Sequence, residues 1–314
     1  MNRINEQDFT DVNVREFIAQ QESSEVRSGD QFEDELLKAL EQPDNWGWSL
    51  PWAEKCDERL RLRPGEVSLW AGMSGHLKSA CVQQIAFWQA RERKVGIQSF
   101  EMTIGQQLKR AVKQCSGTSS PTEDWARRFA RWMKDRIYFY DRLDSVPPER
   151  VLGCVLHMAK DLGCKIIVID CLIKVKGLSR DAALEASFMD QLMAMAKVLD
   201  IHIMLVHHIR KPDKLGDAYR PTKHDVRGAG DLVDQCSTLV LVWNDKKRKV
   251  LKERIAHGLP LDDKQQEYYD SRRDLILHAA KQRNAPFEGQ LGFYVQESMQ
   301  ISDHSVKRMH FEIP

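Results

Sequence analysis

The amino-acid sequence predicts an α/β fold, with a mainly parallel sheet flanked by helices and a C-terminal antiparallel hairpin. Two observations predict it. From residue 46 onward, short β-rich apolar runs alternate with stretches of helical periodicity. Near the end of the chain, residues 274–283 and 289–295 form two more runs separated by NAPFE, a spacing that favours a hairpin at the sheet edge.

The alternation sets the order of the elements. The predicted parallel strands cover residues 66–71, 95–100, 136–140, 165–170, 201–206 and 237–243. Helices are predicted between several of them, at residues 78–92, 104–115, 147–161 and 182–199. The highly charged residues 244–272 predict an exposed loop or a helical excursion.

Residues 1–44 are polar and acidic and differ in character from the rest of the chain. Within them, residues 30–41 predict a short helix with Asp30 as its N-cap. Its apolar stripe consists of Phe32, Leu36, Leu37 and Leu40. One amphipathic helix cannot bury its stripe alone, so it must pack on its own domain or on a neighbour. The sequence thus predicts an N-terminal arm, 1–44, followed by an α/β domain, 45–314.

Composition argues against several classes of protein. No apolar run is long enough to span a membrane, and the N-terminus lacks the apolar stretch of a secretory signal. The seven cysteines form no C-x-x-C pair, which argues against zinc sites and a disulfide framework and favours small buried hydrophobes in a reducing cytoplasm. The formal net charge is only +1, so any signal for binding nucleic acid must come from local clusters.

Residues 64–88 have the context of a phosphate-binding loop, because a strand runs through a glycine-containing turn into a helix. Backbone N–H groups of such a turn cradle phosphate oxygens at the helix N-terminus. Lys78 would reach the β and γ phosphates of a nucleotide, and the Ser79 hydroxyl would bind Mg²⁺. The candidate nucleotide-binding residues are Gly72, Met73, Ser74, Gly75, His76, Leu77, Lys78, Ser79 and Ala80.

The loop departs from the G-x-x-x-x-G-K-[ST] pattern at Leu77, which stands where the second glycine belongs. Its Cβ and isobutyl group lie where the backbone should approach phosphate closely. A strand–turn–helix with an incidental lysine is therefore an alternative interpretation of this segment.

Two carboxylates follow predicted strands. Glu101 comes directly after residues 95–100, and Asp170 ends residues 165–170. An ATPase needs one carboxylate for its metal ion and another for the attacking water, both at the carboxyl ends of strands beside the phosphate loop. Either residue alone could be a solvated strand end, but their order after the loop favours a nucleotide site.

Six segments extend this interpretation, and they are RPGEVSLWAGMSGHLKS, SFEM, IIVIDCL, LVHHIRKPDK, DVRGAGDLVDQCSTLVLV and AKQRNAPFEGQLGFYV. In this order they resemble the helicase domain of the DnaB-type replicative DNA helicases, especially the phage primase-helicase and Twinkle branch. The resemblance covers roughly residues 45–314 and includes no primase domain. It implies a RecA-like P-loop ATPase core that uses ATP, or another nucleoside triphosphate, with Mg²⁺.

The resemblance also implies roles for individual residues within one subunit. Glu101 matches the catalytic glutamate that activates water, and Asp170 the Walker B aspartate that holds Mg²⁺ together with Ser79. His208 matches the polar sensor of the γ-phosphate, although the adjacent His207 leaves the register open by one residue.

Other roles in the family cross a subunit boundary. Arg283 resembles the arginine finger and Lys281 its companion, both acting in the ATP site of the next subunit. These two could instead be solvent-facing cations on an edge strand. The family's ring is a hexamer, and helix 30–41 resembles the linker helix that docks on an adjacent subunit. A separate primase or helicase loader is a further partner that the resemblance suggests.

Residues 207–227 concentrate arginine and lysine among prolines and a glycine, which predicts a basic loop. Such side chains suit contacts with phosphates that do not depend on base sequence. The segment resembles the family's central-channel loop, although a solvated basic loop would look similar. The candidate contacts with single-stranded DNA are Arg210, Lys214, Arg227, Gly228 and Gly230.

The sequence therefore favours an ATP-dependent helicase that translocates on single-stranded DNA as a ring, in the cytoplasm of a host cell if a phage encodes it. Two alternatives stay open. Leu77 suits a hydrolysis-impaired protein that binds DNA or acts as an accessory ring subunit. The ATPase core also suits a RecA-like recombination ATPase, which would form filaments.

Overall fold

A mixed sheet of nine strands forms the core of the computed structural model, which describes residues 16, 28–43, 46–210, 216–228, 230–305, 311 and 313. The strands are β1 (Val67–Gly72), β2 (Val95–Ser99), β3 (Ile137–Asp141), β4 (Ile166–Asp170), β5 (His202–His208), β6 (Thr238–Asn244), β7 (Leu275–Gln282), β8 (Gly289–Val295) and β9 (Ile301–Ser302). Their order is β3-β2-β4-β5-β1-β6-β7-β8-β9. Pairing is parallel from β3 to β6 and antiparallel from β6 to β9.

The described part of the chain also contains helices, several of which cover the two faces of the parallel part. They are α1 (Glu33–Glu41), α2 (Ala53–Cys56), α3 (Lys78–Gln89), α4 (Ile104–Ser116), α5 (Glu123–Trp132), α6 (Pro148–Lys160), α7 (Ala182–Val198), α8 (Gly230–Gln235), α9 (Lys246–Ala256) and α10 (Asp263–Ser271). Helices α6, α7 and α8 contribute to one apolar layer, and α3, α4 and α5 to the other. Because both faces are covered, β1, β2, β4 and β6 are buried along their whole length, which explains their continuous apolar runs.

The predicted fold class is confirmed. Each of the six apolar runs forms a parallel strand, and the late pair forms the antiparallel β7–β8 hairpin. The charged residues 244–272 make a helical excursion, because α9 and α10 lie within them. The division of the chain at residue 44 stays a prediction.

The N-terminal helix differs from its prediction at its start. Asp30 is not the N-cap, because it lies in a 3₁₀ turn, Gly29–Phe32, and α1 begins only at Glu33. The reason is local, since the Asp30 carboxylate interacts with the Ser28 side chain and with its own backbone amide. The apolar stripe of α1 stays exposed, from 38% at Phe32 to 73% at Leu40, so the described part of the domain does not bury it.

The cysteines behave as the sequence predicts. All seven are free and buried, and Cys81 and Cys154 lie in the two apolar layers as small hydrophobic side chains. Among the described residues, no helix has the length and apolar character needed to cross a bilayer.

A buried hydrogen-bonded chain joins β1, β5 and the turn before β1. The Trp70 indole N–H donates to Ser68 Oγ at 3.0 Å, and Ser68 Oγ lies 2.8 Å from His202 Nε2. His202 Nδ1 lies 2.8 Å from the Arg63 carbonyl, so Nδ1 carries the proton and Nε2 accepts from Ser68. A neutral imidazole satisfies this chain, and burial lowers the pKa of His202 to about 4.

These buried hydrogen bonds of His202 predict that the folded protein loses stability in acid. The folded pKa of His202 lies below the value of about 6.5 for an unfolded histidine, so stability is complete above pH 6.5 and falls as the pH drops towards 4. The His202 contribution to that loss should approach about 3 kcal/mol. Urea unfolding at pH 7 and pH 5 measures it. His202→Gln should show a shallower decline than the unchanged chain, and equal declines would contradict the assignment.

Candidate functional site

The turn between β1 and α3 opens onto a cavity of about 200 Å³ at the carboxyl edge of the parallel strands. The predicted residues Lys78, Ser79, Glu101, Asp170 and His208 all line it. Strands β2, β4, β5 and β1 are neighbours in the sheet, so the residues that end them meet at one edge. The structure therefore brings these five predicted residues of one subunit together at one cavity.

Lys78 and Ser79 begin α3 and are held by nearby oxygens. Lys78 Nζ donates to the Met73 carbonyl at 2.8 Å, and the Ser79 hydroxyl donates to Asp170 Oδ1 at 3.1 Å. Burial raises the pKa of Asp170 and lowers the pKa of Lys78, because both groups are desolvated in their charged forms. The hydroxyl and carboxylate oxygens of Ser79 and Asp170 are hard ligands, and this donor set fits Mg²⁺.

Glu101 follows β2 and is charged at neutral pH. The His208 imidazole, whose Nε2 lies 3.9 Å from Glu101 Oε1, is the main cause that holds the pKa of Glu101 at about 2. The Cys171 thiol adds to this effect, and together they outweigh burial. A carboxylate that stays ionised can accept a hydrogen bond from water and orient it.

The structure resolves the choice between the two adjacent histidines. His208 lines the cavity beside Glu101, whereas His207 is buried and its Nε2 lies 2.7 Å from the Arg227 carbonyl. Successive side chains of a strand point to opposite faces, so only one of the pair can face the cavity. His208 is therefore the histidine of the pair that lines the cavity, and its role as a sensor stays a prediction.

Leu77 takes up the backbone conformation that the missing glycine would have. Its φ of 65° and ψ of 17° are left-handed, and Gly75 in the same turn also has a positive φ, 75°. A left-handed residue other than glycine costs roughly 1–2 kcal/mol. The Leu77 side chain is partly buried against the apolar layer of α3, which offsets part of that cost. The turn geometry is thus kept despite the substitution.

Three residues that the sequence analysis gave as candidates for nucleotide binding have structural contacts in this loop or lie away from the cavity. His76 is buried, and its Nδ1 accepts the Asn244 backbone N–H at 3.1 Å, so its side chain anchors the loop to β6. A Cβ on Gly72 would lie 2.4 Å from the Val242 carbonyl, so this glycine allows β1 and β6 to pack closely. Neither Gly72 nor Met73 lines the cavity.

Arg110 of α4 also lines the cavity and carries no motif that would identify it. Its Nε donates to Gln83 Oε1, and burial lowers the pKa of its guanidinium. The only sequence signal is spacing, because Arg110 lies three residues after Gln107 and four before Gln114, both buried on the inner face of α4. It adds a second cation near Asp170.

Lys281 and Arg283 lie at the opposite edge of the sheet. Lys281 pairs with Leu239 near the start of β6, and Leu239 pairs with Leu69 of β1. The phosphate loop follows the end of β1 at Gly72, about 10 Å further along the strands. Lys281 Nζ donates to the Val233 and Asp234 carbonyls at 2.6 and 2.7 Å, and Arg283 donates to the Asp234 carbonyl. Both cations therefore cap the C-terminus of α8, and neither reaches the cavity of its own chain.

The basic segment after β5 folds back on the strand end. The Arg227 N–H donates to the His208 carbonyl at 3.1 Å, and the Arg210 N–H to the Asp225 carbonyl at 2.7 Å. The side chains of Arg210 and Arg227 are exposed. Gly228 has a φ of 108°, and Gly230 begins α8.

One DNA-contact candidate cannot be placed, because Lys214 lies outside the described residues. The remaining four candidates, Arg210, Arg227, Gly228 and Gly230, lie in one stretch next to the sensor position. Their contact with DNA stays a prediction.

Comparison with known proteins agrees with this architecture. A family model described as "AAA domain" matches residues 33–214. A DNA helicase/primase of Enterobacteria phage T3 is 26% identical over 214 residues, which are 61% of this chain and 37% of that relative. The chain thus spans little more than a third of the length of this relative.

Solved structures match over almost the whole chain. A structure described as an ATPase domain has a TM-score of 0.69 at 16% identity, covering 90% of this chain and 100% of that one. A structure described as a DnaB-like replicative helicase and its interactions with primase has a TM-score of 0.66 at 15% identity, covering 92% of this chain and 70% of that one. The predicted RecA-like fold and the resemblance to DnaB-type helicase domains are confirmed.

Two substitutions at residue 77 should separate backbone strain from side-chain bulk. Leu77→Gly removes the whole side chain, including the strained Cβ, whereas Leu77→Ala removes only the isopropyl group beyond Cβ. We expect Leu77→Gly to exceed Leu77→Ala in unfolding free energy by about 1 kcal/mol, because only glycine adopts a left-handed φ without strain. Urea unfolding measures the difference. A more stable Leu77→Ala would show that the turn is not strained.

Proposed function

Because the chain belongs to the AAA domain family, we propose that it is an ATP-hydrolysing DNA helicase of the DnaB type that translocates on single-stranded DNA as a ring. One observation carries the proposal. Lys78, Ser79, Glu101, Asp170 and His208 surround one cavity, while Arg283 of the same chain lies at the opposite edge of the sheet. The arrangement suits a reaction centre that a second subunit must complete.

Within one subunit, different residues would bind the phosphates, hold the metal ion and orient the attacking water. The turn amides and Lys78 bind the phosphates, and on binding Lys78 exchanges the Met73 carbonyl for phosphate oxygen. Ser79 and Asp170 would hold Mg²⁺, which would supply positive charge beside the phosphates. Glu101 orients the attacking water and accepts its proton, and Arg110 counters the negative charge on that side of the cavity.

A neighbouring subunit supplies the missing cation. Arg283 of that neighbour would stabilise the charge that develops on the transferred phosphoryl group, a role worth about 10³–10⁵ in rate for arginine fingers. The exposed apolar stripe of α1 provides a surface that a neighbour can cover. Both features favour a closed homo-oligomer, and the DnaB-type resemblance favours a hexamer.

His208 couples the nucleotide to the DNA-binding segment. Its side chain faces Glu101, and its carbonyl accepts the Arg227 N–H. A change at the γ-phosphate that moves His208 therefore moves the backbone of the segment that carries Arg210 and Arg227. Exposed arginines on that segment would grip the phosphates of one strand without reading its bases.

Partners and alternatives complete the proposal. A primase is the partner class that we favour, because the description of one structural relative names its interactions with primase. A second candidate function is a hydrolysis-impaired accessory ring protein. Leu77 favours it, since its Cβ stands where phosphate should approach. The third candidate, a RecA-like recombination ATPase, would assemble into filaments and not into rings. The form of the assembly on DNA therefore distinguishes it from the helicase.

The first test concerns the catalytic carboxylate. Glu101→Gln keeps the size and hydrogen-bonding capacity of the side chain but removes its charge, so we expect ATP hydrolysis stimulated by single-stranded DNA to fall about 10²-fold or more. Binding of a non-hydrolysable analogue, measured by calorimetry, should change little. Near-normal turnover in the variant would remove Glu101 from its role. Absence of hydrolysis by the unchanged chain would favour the hydrolysis-impaired alternative.

The second test concerns catalysis across subunits. Lys78→Ala and Arg283→Ala should each abolish hydrolysis, but mixed assemblies should regain part of it. At some interfaces the intact loop of an Arg283→Ala subunit meets the intact arginine of a Lys78→Ala subunit. Mixing Lys78→Ala with Glu101→Gln is the matched control, because both lesions lie on the same side of the interface and cannot complement. A mixture of the first pair that stays as inactive as the control would rule out the trans role.

A further inference from the structure

Glu101 and His208, which line the phosphate cavity, form a cluster with the buried thiol of Cys171, to which ATP hydrolysis assigns no role. An oxygen of Glu101, Sγ of Cys171 and a ring nitrogen of His208 all lie within 4.8 Å of one another. The sheet register causes this, because Ser99, Asp170 and Val206 are neighbours across β2, β4 and β5. Glu101, Cys171 and His208 follow these three residues by two, one and two positions in the sequence.

The cluster offers the donors that zinc takes in proteins, which are one thiolate, one imidazole and one carboxylate. Bond lengths of about 2.0–2.3 Å around a tetrahedral zinc place its ligand atoms roughly 3.3–3.8 Å apart. The 3.9 Å between Glu101 Oε1 and His208 Nε2 is close to that separation. Since all three ligand atoms lie within 4.8 Å of one another, small side-chain movements would bring them onto one ion.

The ligand chemistry separates this cluster from the magnesium position. Ser79 and Asp170 offer only oxygen, which Mg²⁺ prefers, whereas Cys171 and His208 offer sulfur and nitrogen, which favour zinc. The missing C-x-x-C pairs argue only against zinc sites built from neighbouring cysteines, whereas the three ligands here lie at the ends of three different strands. Among the described residues, a second cluster of Glu54, Asp303 and His304 contains no sulfur.

We propose that Glu101, Cys171 and His208 form an inhibitory zinc site. Zn²⁺ binds the Glu101 carboxylate, the His208 imidazole and the Cys171 sulfur, and the thiol proton leaves to solvent. A coordinated Glu101 no longer accepts a proton from water, and a coordinated His208 no longer responds to the γ-phosphate. The inhibition rests on the proposed ATPase function, whereas the binding of metal does not.

Cobalt tests the site without reference to ATP. Metal-free protein, kept reduced, is titrated with Co²⁺, which takes zinc's place and absorbs light according to its ligands. We expect one equivalent to give a sulfur-to-cobalt charge-transfer band with the visible absorption of a tetrahedral ion, and Zn²⁺ to displace it. Cys171→Ser should lose the charge-transfer band, and His208→Asn should weaken cobalt binding about tenfold or more.

Two matched controls exclude a cobalt signal from another thiol or another histidine. Cys115→Ser removes a different buried thiol and should leave the band unchanged, and so should His304→Ala in the sulfur-free cluster. The partly exposed His208 makes His208→Asn informative even if Cys171→Ser does not fold. Absence of the band in the unchanged chain, or a band that survives in both Cys171→Ser and His208→Asn, would overturn the site.

Hydrolysis of ATP then tests the inhibition. With Mg²⁺ in excess, Zn²⁺ should inhibit the unchanged chain. The Zn²⁺ concentration for half-inhibition should rise about tenfold or more in Cys171→Ser, with each protein normalised to its own zinc-free rate. Cobalt binding at these residues with hydrolysis unaffected by zinc would overturn the inhibitory role. Absence of hydrolysis in the metal-free chain would count against the proposed function, and the cobalt spectra would still decide the site.

Discussion

Parallel strands end at a common edge of the sheet, and this constraint determines where the polar chemistry of the molecule lies. The apolar runs of β1, β2, β4 and β5 are buried on both faces, so polar chemistry can begin only where these strands stop. Segments far apart in sequence therefore deliver Lys78, Glu101, Asp170 and His208 to one cavity. The same constraint places Lys281, which lies near the end of an antiparallel strand, at the other edge. Strand direction thus separates Lys281 from the cavity of its own chain.

Burial gives the cavity its electrostatic character. Lys78 and Asp170 are both desolvated, and each is held by a short-range partner, the Met73 carbonyl and the Ser79 hydroxyl. Desolvation makes the charged forms of both groups costly in the protein alone. Glu101 is different, because the neighbouring His208 keeps it ionised. The site thus combines buried groups that respond to ligand with one carboxylate that is charged throughout.

The strands and several of the site residues could be predicted from the sequence, because apolar runs indicate buried strands and the charged residues that follow them mark the strand ends. Glu101 and Asp170 were found in this way. The choice between His207 and His208 was not, since it depends on which face of β5 each side chain meets. Arg110 was missed because a helix that packs beside the cavity carries no motif. The left-handed backbone of Leu77 could not be inferred from a residue type that rarely adopts it.

Catalysis as proposed requires ATP to bind between two copies of this chain. Electron cryomicroscopy of the protein with Mg²⁺, a non-hydrolysable ATP analogue and single-stranded DNA tests this requirement without any substitution. We predict closed rings in which the analogue lies between Lys78 of one subunit and Arg283 of the next, with DNA in the central channel. Nucleotide enclosed by a single chain, or open helical filaments on the DNA, would contradict it.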